Sequence, residues 1–254
     1  GRSTALASTR TRSLGAFVCL VVALFSVTAC GATTASAPSQ SKLDDSIGGG
    51  LSGGQISSRA WREAVKRILP GIVKINIDGC GFTGSGSGFR AGNWIVTNRH
   101  VVEDAKKLTF LDYHHQKHTV NRWLYSKTDD LALLRLDSGT ALGTLHLASA
   151  DPTPGDLVAT GGYPLGGPQV SQRGHLVQHV KEMELPNSSS TFVWETTAPI
   201  LPGDSGGPML DKNGQVVGVM FAVNNENNRT MAIPLSRLRA TILAFRDLEA
   251  GSSC

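Results

Sequence analysis

Leu201-Pro202-Gly203-Asp204-Ser205-Gly206-Gly207-Pro208 is the stretch on which the reading of this 254-residue chain turns. It holds a serine between glycines in a loop tight enough to present the hydroxyl. A serine hydroxyl is a weak nucleophile. It needs a base to take its proton and backbone N–H groups nearby to hold an oxyanion, and glycines let the backbone fold closely enough to aim those groups. A lone serine in a glycine-rich loop is ordinarily just a turn.

Two more segments change that reading. Ile95-Val96-Thr97-Asn98-Arg99-His100-Val101-Val102 reads as a short apolar strand ending in a histidine, and Thr128-Asp129-Asp130-Leu131-Ala132-Leu133-Leu134-Arg135-Leu136 as an acidic pair opening an apolar strand. Taken singly, such a histidine is a structural residue and such an aspartate a turn residue. The three occur in the order His, Asp, Ser, each at a strand edge where loops can converge on a cleft. Their joint occurrence assigns His100, Asp130 and Ser205 to base, orienting acid and nucleophile. An esterase on its usual fold places the histidine last, whereas here it comes first.

The rest of the chain supplies a scaffold for such a cleft. Ile72 to Ile77, Trp94 to Thr97, Leu157 to Gly161, Phe192 to Glu195 and Val216 to Val223 are short β-branched or alternating runs punctuated by Gly, Pro and Asn. Many short strands with turns between them predict an all-β barrel protein. Trp61, Ala64, Val65 and Ile68 fall at i, i+3, i+4 and i+7, which predicts a helix capped by Ser57 or Ser58. Leu235, Leu238, Ile242 and Phe245 predict a C-terminal helix after Pro234.

Beside these features stand Gly84-Ser85-Gly86-Ser87-Gly88-Phe89, Ala159-Thr160-Gly161-Gly162-Tyr163-Pro164-Leu165-Gly166 and Ala232-Ile233-Pro234. Together with the His, Asp and Ser segments, they make residues 70 to 236 resemble the trypsin-like serine peptidases of chymotrypsin fold, and within them the bacterial Deg-type branch. The resemblance implies two six-stranded antiparallel β-barrels followed by a helix. It favours Asp130 over Asp129 as the acid. It implies an oxyanion hole along Gly203, Asp204 and Ser205, built from the N–H groups of Gly203 and Ser205, and no cofactor. Asp204 departs from the Asn that many Deg-type members carry there. Zymogen-activated relatives use an Asp at this place to receive a new N-terminus, but Ile47-Gly48-Gly49-Gly50 lacks a preceding basic residue, and such activation is not expected.

By the same analogy, the substrate lies extended beside Phe221, Ala222 and Val223, and the pocket for its P1 side chain is walled by these residues with Pro199, Ile200 and Met231. Relatives that cut after Lys or Arg place an acid six residues before the nucleophile. That position is Pro199, which would leave a basic side chain buried without a partner. Small or medium apolar P1 residues are therefore expected. The partners are protein or peptide substrates. A catalytically silent peptide-binding or chaperone-like module on the same fold is the alternative.

The N-terminal region reads as export machinery. Residues 1–29 hold Arg2, Arg10 and Arg12, no acid, and an apolar stretch from Leu14 to Ala29, the layout of a signal peptide. It ends Val27-Thr28-Ala29-Cys30, which resembles the bacterial lipobox and implies a lipid on Cys30, anchoring the protein to the membrane of the cell envelope; a plain secretory peptide is the alternative. Residues 30–57 are rich in Gly, Ser, Ala and Thr and predict a flexible tether, leaving 58–250 as the peptidase domain. The net charge is +4, and the three arginines of the leader account for most of it, so the charge gives no reason to expect nucleic acid. Cys80 and Cys254 could form a disulfide in an oxidising compartment or remain two thiols. His114, His115 and His118 lie in a predicted hairpin without an acidic or thiol partner at helical spacing, and no metal is expected there.

Overall fold

The structure is a computed structural model and describes residues 58–185 and 188–251. The leader, the tether, Cys30, Cys254 and Ile47 to Gly50 lie outside the described residues.

Helix α1, Ser58–Ile68, forms as its periodicity predicts, burying Trp61, Ala64 and Ile68 and leaving Val65 half-buried. Lys66 and Arg67 in its last turn suit the negative end of the helix dipole, and Pro70 cannot continue the α-helical hydrogen bonding, so the chain passes through a 3-10 turn into the first strand.

The first unit contains β1 (Ile72–Gly79), β2 (Thr83–Ala91), β3 (Trp94–Thr97), helix α2 (Arg99–Val102), β4 (Ala105–Leu111), β5 (Lys117–Val120), β6 (Trp123–Tyr125) and β7 (Ala132–Arg135). The second contains β8 (Leu157–Gly162), β9 (Val170–Leu185), β10 (Ser188–Thr196), β11 (Pro208–Leu210), β12 (Val216–Asn224) and β13 (Arg229–Pro234). Helix α3 (Leu235–Leu243) and the short strand β14 (Glu249–Ala250) follow. The second unit is a closed six-stranded barrel in the order β10-β13-β12-β11-β8-β9. The first is a half-barrel, a sheet in the order β14-β6-β7-β3-β2-β1-β4-β5. Its own seven strands and β14, which returns from the far end to pair Glu249 with Tyr125 and Ala250 with Leu124 and so covers the β6 edge, make eight where six were expected.

Three apolar clusters explain why several strands read as unbroken hydrophobic runs. Successive side chains point to opposite faces. In β3, Ile95 enters the core of the first unit, while Trp94 and Val96 enter a cluster shared by both units and α3. In β7, Ala132 and Leu134 face the first core and Leu133 the shared one. Strands buried on both faces need no polar alternation. The barrel keeps its own cluster, with Val158, Leu176, Trp194, Met209, Met220 and Ala232 from six different strands. Each buried Val, Leu or Met side chain among them contributes about 1.5–3 kcal/mol.

Candidate active site

Strand pairing brings the histidine and the acid together. In β3 and β7, Thr97 stands opposite Ala132, so the residues just after Thr97 meet those just before Ala132. Beyond Thr97 the chain turns into α2, so His100 sits in a short helical turn rather than at a strand end. Asn98 Nδ2 donates to the Asp130 carbonyl at 2.9 Å, the His100 N–H donates to Asp130 Oδ1 at 2.9 Å, and His100 Nδ1 meets Asp130 Oδ2 at 2.6 Å. The carboxylate thus grips the backbone and ring of one residue, which fixes the ring's orientation and leaves Nδ1 as the protonated nitrogen. Burial works against the imidazolium, but the charge and hydrogen bond of Asp130, with a smaller contribution from Glu103, outweigh it, so the His100 pKa lies above its ordinary value. Asp129 points elsewhere, to Arg237 of α3 at 2.7 Å.

The serine loop is held by its backbone. Asp204 N–H donates to the Leu201 carbonyl (3.0 Å), and Leu201 N–H returns a bond to Asp204 Oδ2 (2.9 Å). Gly206 N–H donates to the Met220 carbonyl (2.8 Å) and Gly207 N–H to that of Asp204 (2.9 Å). Gly206 has φ +87°, and a Cβ there would lie 2.2 Å from both the Ser87 carbonyl and Thr97 Oγ1, so no other residue fits. From β2, Ser87 contributes at three points: its N–H donates to the Ser205 carbonyl (2.8 Å), its hydroxyl to the Gly203 carbonyl (2.7 Å), and its Oγ accepts the Tyr163 N–H (2.9 Å). Ser87 was visible in sequence only as part of the Gly-Ser-Gly-Ser-Gly run, which said nothing about its partners.

Two N–H groups in this loop, those of Gly203 and Ser205, donate to no group among the described residues. The Asp204 N–H is consumed by the Leu201 carbonyl, so Asp204 lies along this stretch without adding a donor to the Gly203 and Ser205 pair. The Pro202 carbonyl accepts the Leu165 N–H at 2.5 Å. In a trans peptide the carbonyl and the following N–H point in opposite directions, so this bond turns the Gly203 N–H away from Leu165. Leu165 is left-handed (φ +54°), an uncommon conformation for a branched side chain, and sits in the Tyr163 to Gly167 turn.

The serine itself is not bonded to the histidine. Ser205 Oγ lies 3.4 Å from the Phe221 carbonyl, and His100 Nε2 is buried with no hydrogen-bond partner. Such contacts are often loose before substrate binds. Asp204 is 7% exposed, and burial pushes its carboxyl up to about 6, with the Leu201 N–H only partly opposing.

The residues expected to wall the substrate pocket divide into two sets. Ile200 and Val223 share the barrel cluster, and Val223 stands opposite the buried Thr230, whose hydroxyl donates to the Ala198 carbonyl at 2.6 Å. Phe221, Ala222 and Met231 belong instead to the cluster shared between units. Pro199 is exposed, and its carbonyl accepts the Thr160 hydroxyl at 3.4 Å. Thr230 was missed because a single polar residue in a strand has no signature of its own. Of the three histidines near the β4–β5 hairpin, His118 meets Asp112 Oδ2 at 2.9 Å, six positions away and so not at helical spacing.

A closed antiparallel barrel beside a half-barrel, with a His–Asp pair on one and a glycine-bounded serine loop on the other, is the architecture of chymotrypsin-fold peptidases. The chain belongs to the trypsin-like peptidase domain family, which it matches over residues 84–219. It is 33% identical over 154 residues to a probable periplasmic serine endoprotease DegP-like of Chlamydia trachomatis, covering 58% of this chain and 28% of that protein. It is 30% identical over 190 residues to the mitochondrial serine protease HTRA2 of Bos taurus, covering 70% of this chain and 41% of that one. The chain thus spans less than half the length of these curated relatives. Among solved structures, the Rv3671c protease of M. tuberculosis in its active form superposes with a TM-score of 0.67 at 22% identity, covering 78% of this chain and 93% of that one. The HtrA-type protease AlgW with tripeptide superposes at 0.63 with 21% identity, covering 72% and 62%.

Proposed function

We propose that the chain is an exported serine endopeptidase that hydrolyses peptide bonds through an acyl-enzyme, with Ser205 as nucleophile, His100 as general base and acid, and Asp130 as the group that orients and stabilises the imidazolium. The observation that carries this reading is the two-point grip of Asp130 on His100 combined with the free N–H pair of Gly203 and Ser205 around the serine. In the reaction, Ser205 Oγ swings from the Phe221 carbonyl to His100 Nε2, gives up its proton there and attacks the substrate carbonyl. The oxyanion meets the Gly203 and Ser205 N–H groups, each donor contributing about 3 kcal/mol to the transition state. His100 then passes the proton to the leaving amine, and water repeats the sequence on the acyl-enzyme.

Location belongs to the same reading. DegP-like relatives are described as periplasmic, which supports an extracytoplasmic site, and a lipid on Cys30 would hold the protein at the membrane of the cell envelope.

One observation favours the alternative, a catalytically silent peptide-binding module: the missing Ser205–His100 bond. A fluorophosphonate separates the two. The purified protein is expected to label at Ser205, with a rate that rises with pH and a midpoint above the ordinary histidine value because His100 must be neutral to act. His100→Ala is expected to slow labelling at least 1000-fold. Labelling that persists in that variant would sink the assignment of the base, and an inert parent would favour the silent module.

A further inference from the structure

The loop that delivers Asp130 carries a second buried acid, immediately before it. Asp129 is 6% exposed. Its Oδ1 accepts Arg237 Nε at 2.7 Å, its Oδ2 accepts the Thr128 hydroxyl at 3.2 Å, and its N–H, like that of Thr128, donates to Ser126 Oγ. Arg237 arrives from α3, more than 100 residues further along the chain, and reaches the loop across a cleft of about 310 Å³.

The other cations facing this loop are already engaged. Arg99 of α2 pairs with Glu103 at 2.7 Å while its guanidinium reaches the Ser126 and Lys127 carbonyls. Lys127 pairs with Glu249 at 2.8 Å, and Asp247, after α3, lines the same cleft. Arg237 is therefore the cation set against Asp129. Without it, a buried negative charge would stand one residue from the carboxylate that governs His100.

We propose that Arg237 is a positioning residue for the His100–Asp130 pair, clamping the 126–131 loop to α3 and cancelling the charge of Asp129 so that this second acid adds nothing to the field at His100. The inference rests on the serine-peptidase reading. His100 already feels the negative charge of Glu103 as well as that of Asp130, so it is sensitive to a further uncompensated acid in its surroundings. Removing the cation would make the protonated ring harder to discharge, and removing Asp129 while leaving the cation would do the reverse.

The test is the pH dependence of fluorophosphonate labelling at Ser205 between pH 5 and 9. Relative to the parent, Arg237→Ala is expected to shift the acid limb upward by about half a pH unit, Asp129→Asn to shift it downward by a similar amount, and the double variant to return it close to the parent. Arg237→Lys should hold the parental limb. Arg237→Gln replaces the alanine variant if that one unfolds. Opposite shifts are the signature of charge balance. If both single variants slow labelling at every pH with the limb unmoved, or move it in the same direction, Arg237 is only a mechanical clamp and the proposal fails. A parent that never labels overturns the peptidase reading, and this inference with it.

Discussion

Asp204 carries a burial cost that its bond from the Leu201 N–H only partly offsets. Its carboxylate is buried and accepts the Leu201 N–H, and no cation is bonded to it among the described residues. Its pKa of about 6 in the folded chain lies above the ordinary carboxylate value. The folded state therefore holds this proton more tightly than the unfolded state does. The resulting stability is fully present below about pH 4, is lost as pH rises to about 6, and is absent at neutrality. A shift of this size corresponds to about 2–3 kcal/mol. Asparagine keeps an oxygen for the Leu201 N–H and carries no charge, so Asp204→Asn is expected to be more stable than the parent by about 2 kcal/mol at pH 7.5 and equal to it near pH 4. Denaturant titrations at the two pH values check this; a variant no more stable at pH 7.5 would show that the carboxylate has a partner when ionised. At this scale the sequence was legible where chemistry restricts residue type. His100, Asp130 and Ser205 stood out by order and spacing, and Asp130 is the acid whose carboxylate meets the His100 ring. The job of Asp129 was not legible, because its partner comes from a helix far along the chain.

At the scale of elements, the proposed substrate strand would lie against β12. Strand β11 covers it only as far as Val219, and Met220 is held by the Gly206 and Gly207 backbone, so the half-buried Val223 has β13 on one side and no strand on the other among the described residues. An extended peptide can add there as a further strand. Its P1 side chain would meet Ile200 and Val223, which share an apolar cluster, while the position of the specificity acid in arginine-cutting relatives is the exposed Pro199. A peptide library is expected to show graded preference among Ala, Val and Leu at P1, with differences of about 1–3 kcal/mol, and rejection of Lys and Arg by at least about 100-fold. Strong cleavage after arginine would place an acid in the pocket that the register around Pro199 does not supply. The strands themselves were legible from β-branched runs, and so was α1 from its period. The turn of α2 was not, because four residues carry too little periodicity. Nor was β14, whose two residues become a strand only by finding the edge of β6.

For the whole molecule, the described residues form one peptidase unit whose N-terminal helix connects to 57 preceding residues. No helix among the described residues is long and apolar enough to cross a membrane. If the protein is held at the membrane, the proposed lipid on Cys30 is the anchor, and Cys30→Ala is expected to move it from the membrane fraction to the soluble fraction or leave it as an unprocessed precursor. Fractionation identical to that of the parent would remove the lipid from the account. At the other end, Gly251 N–H bonds the Trp123 carbonyl, tying the chain's last described residue to the first unit. Cys80, in the β1–β2 turn, is disulfide-bonded, with its partner outside the described residues.

The sequence by itself determined the class of fold, the three residues proposed for chemistry and the glycines that shape the serine loop, because strand alternation, a nucleophile's need for a base and the demand for φ above zero are local constraints written in residue type. Only the tertiary structure decided which N–H groups remain free for an oxyanion, that Ser87 joins β2 to both Gly203 and Tyr163, that Pro199 faces solvent, and that Arg237 balances Asp129. The Ser87 and Arg237 pairings join residues 76 to 116 positions apart. No local pattern encodes such pairings, which exist only once two units have packed against each other.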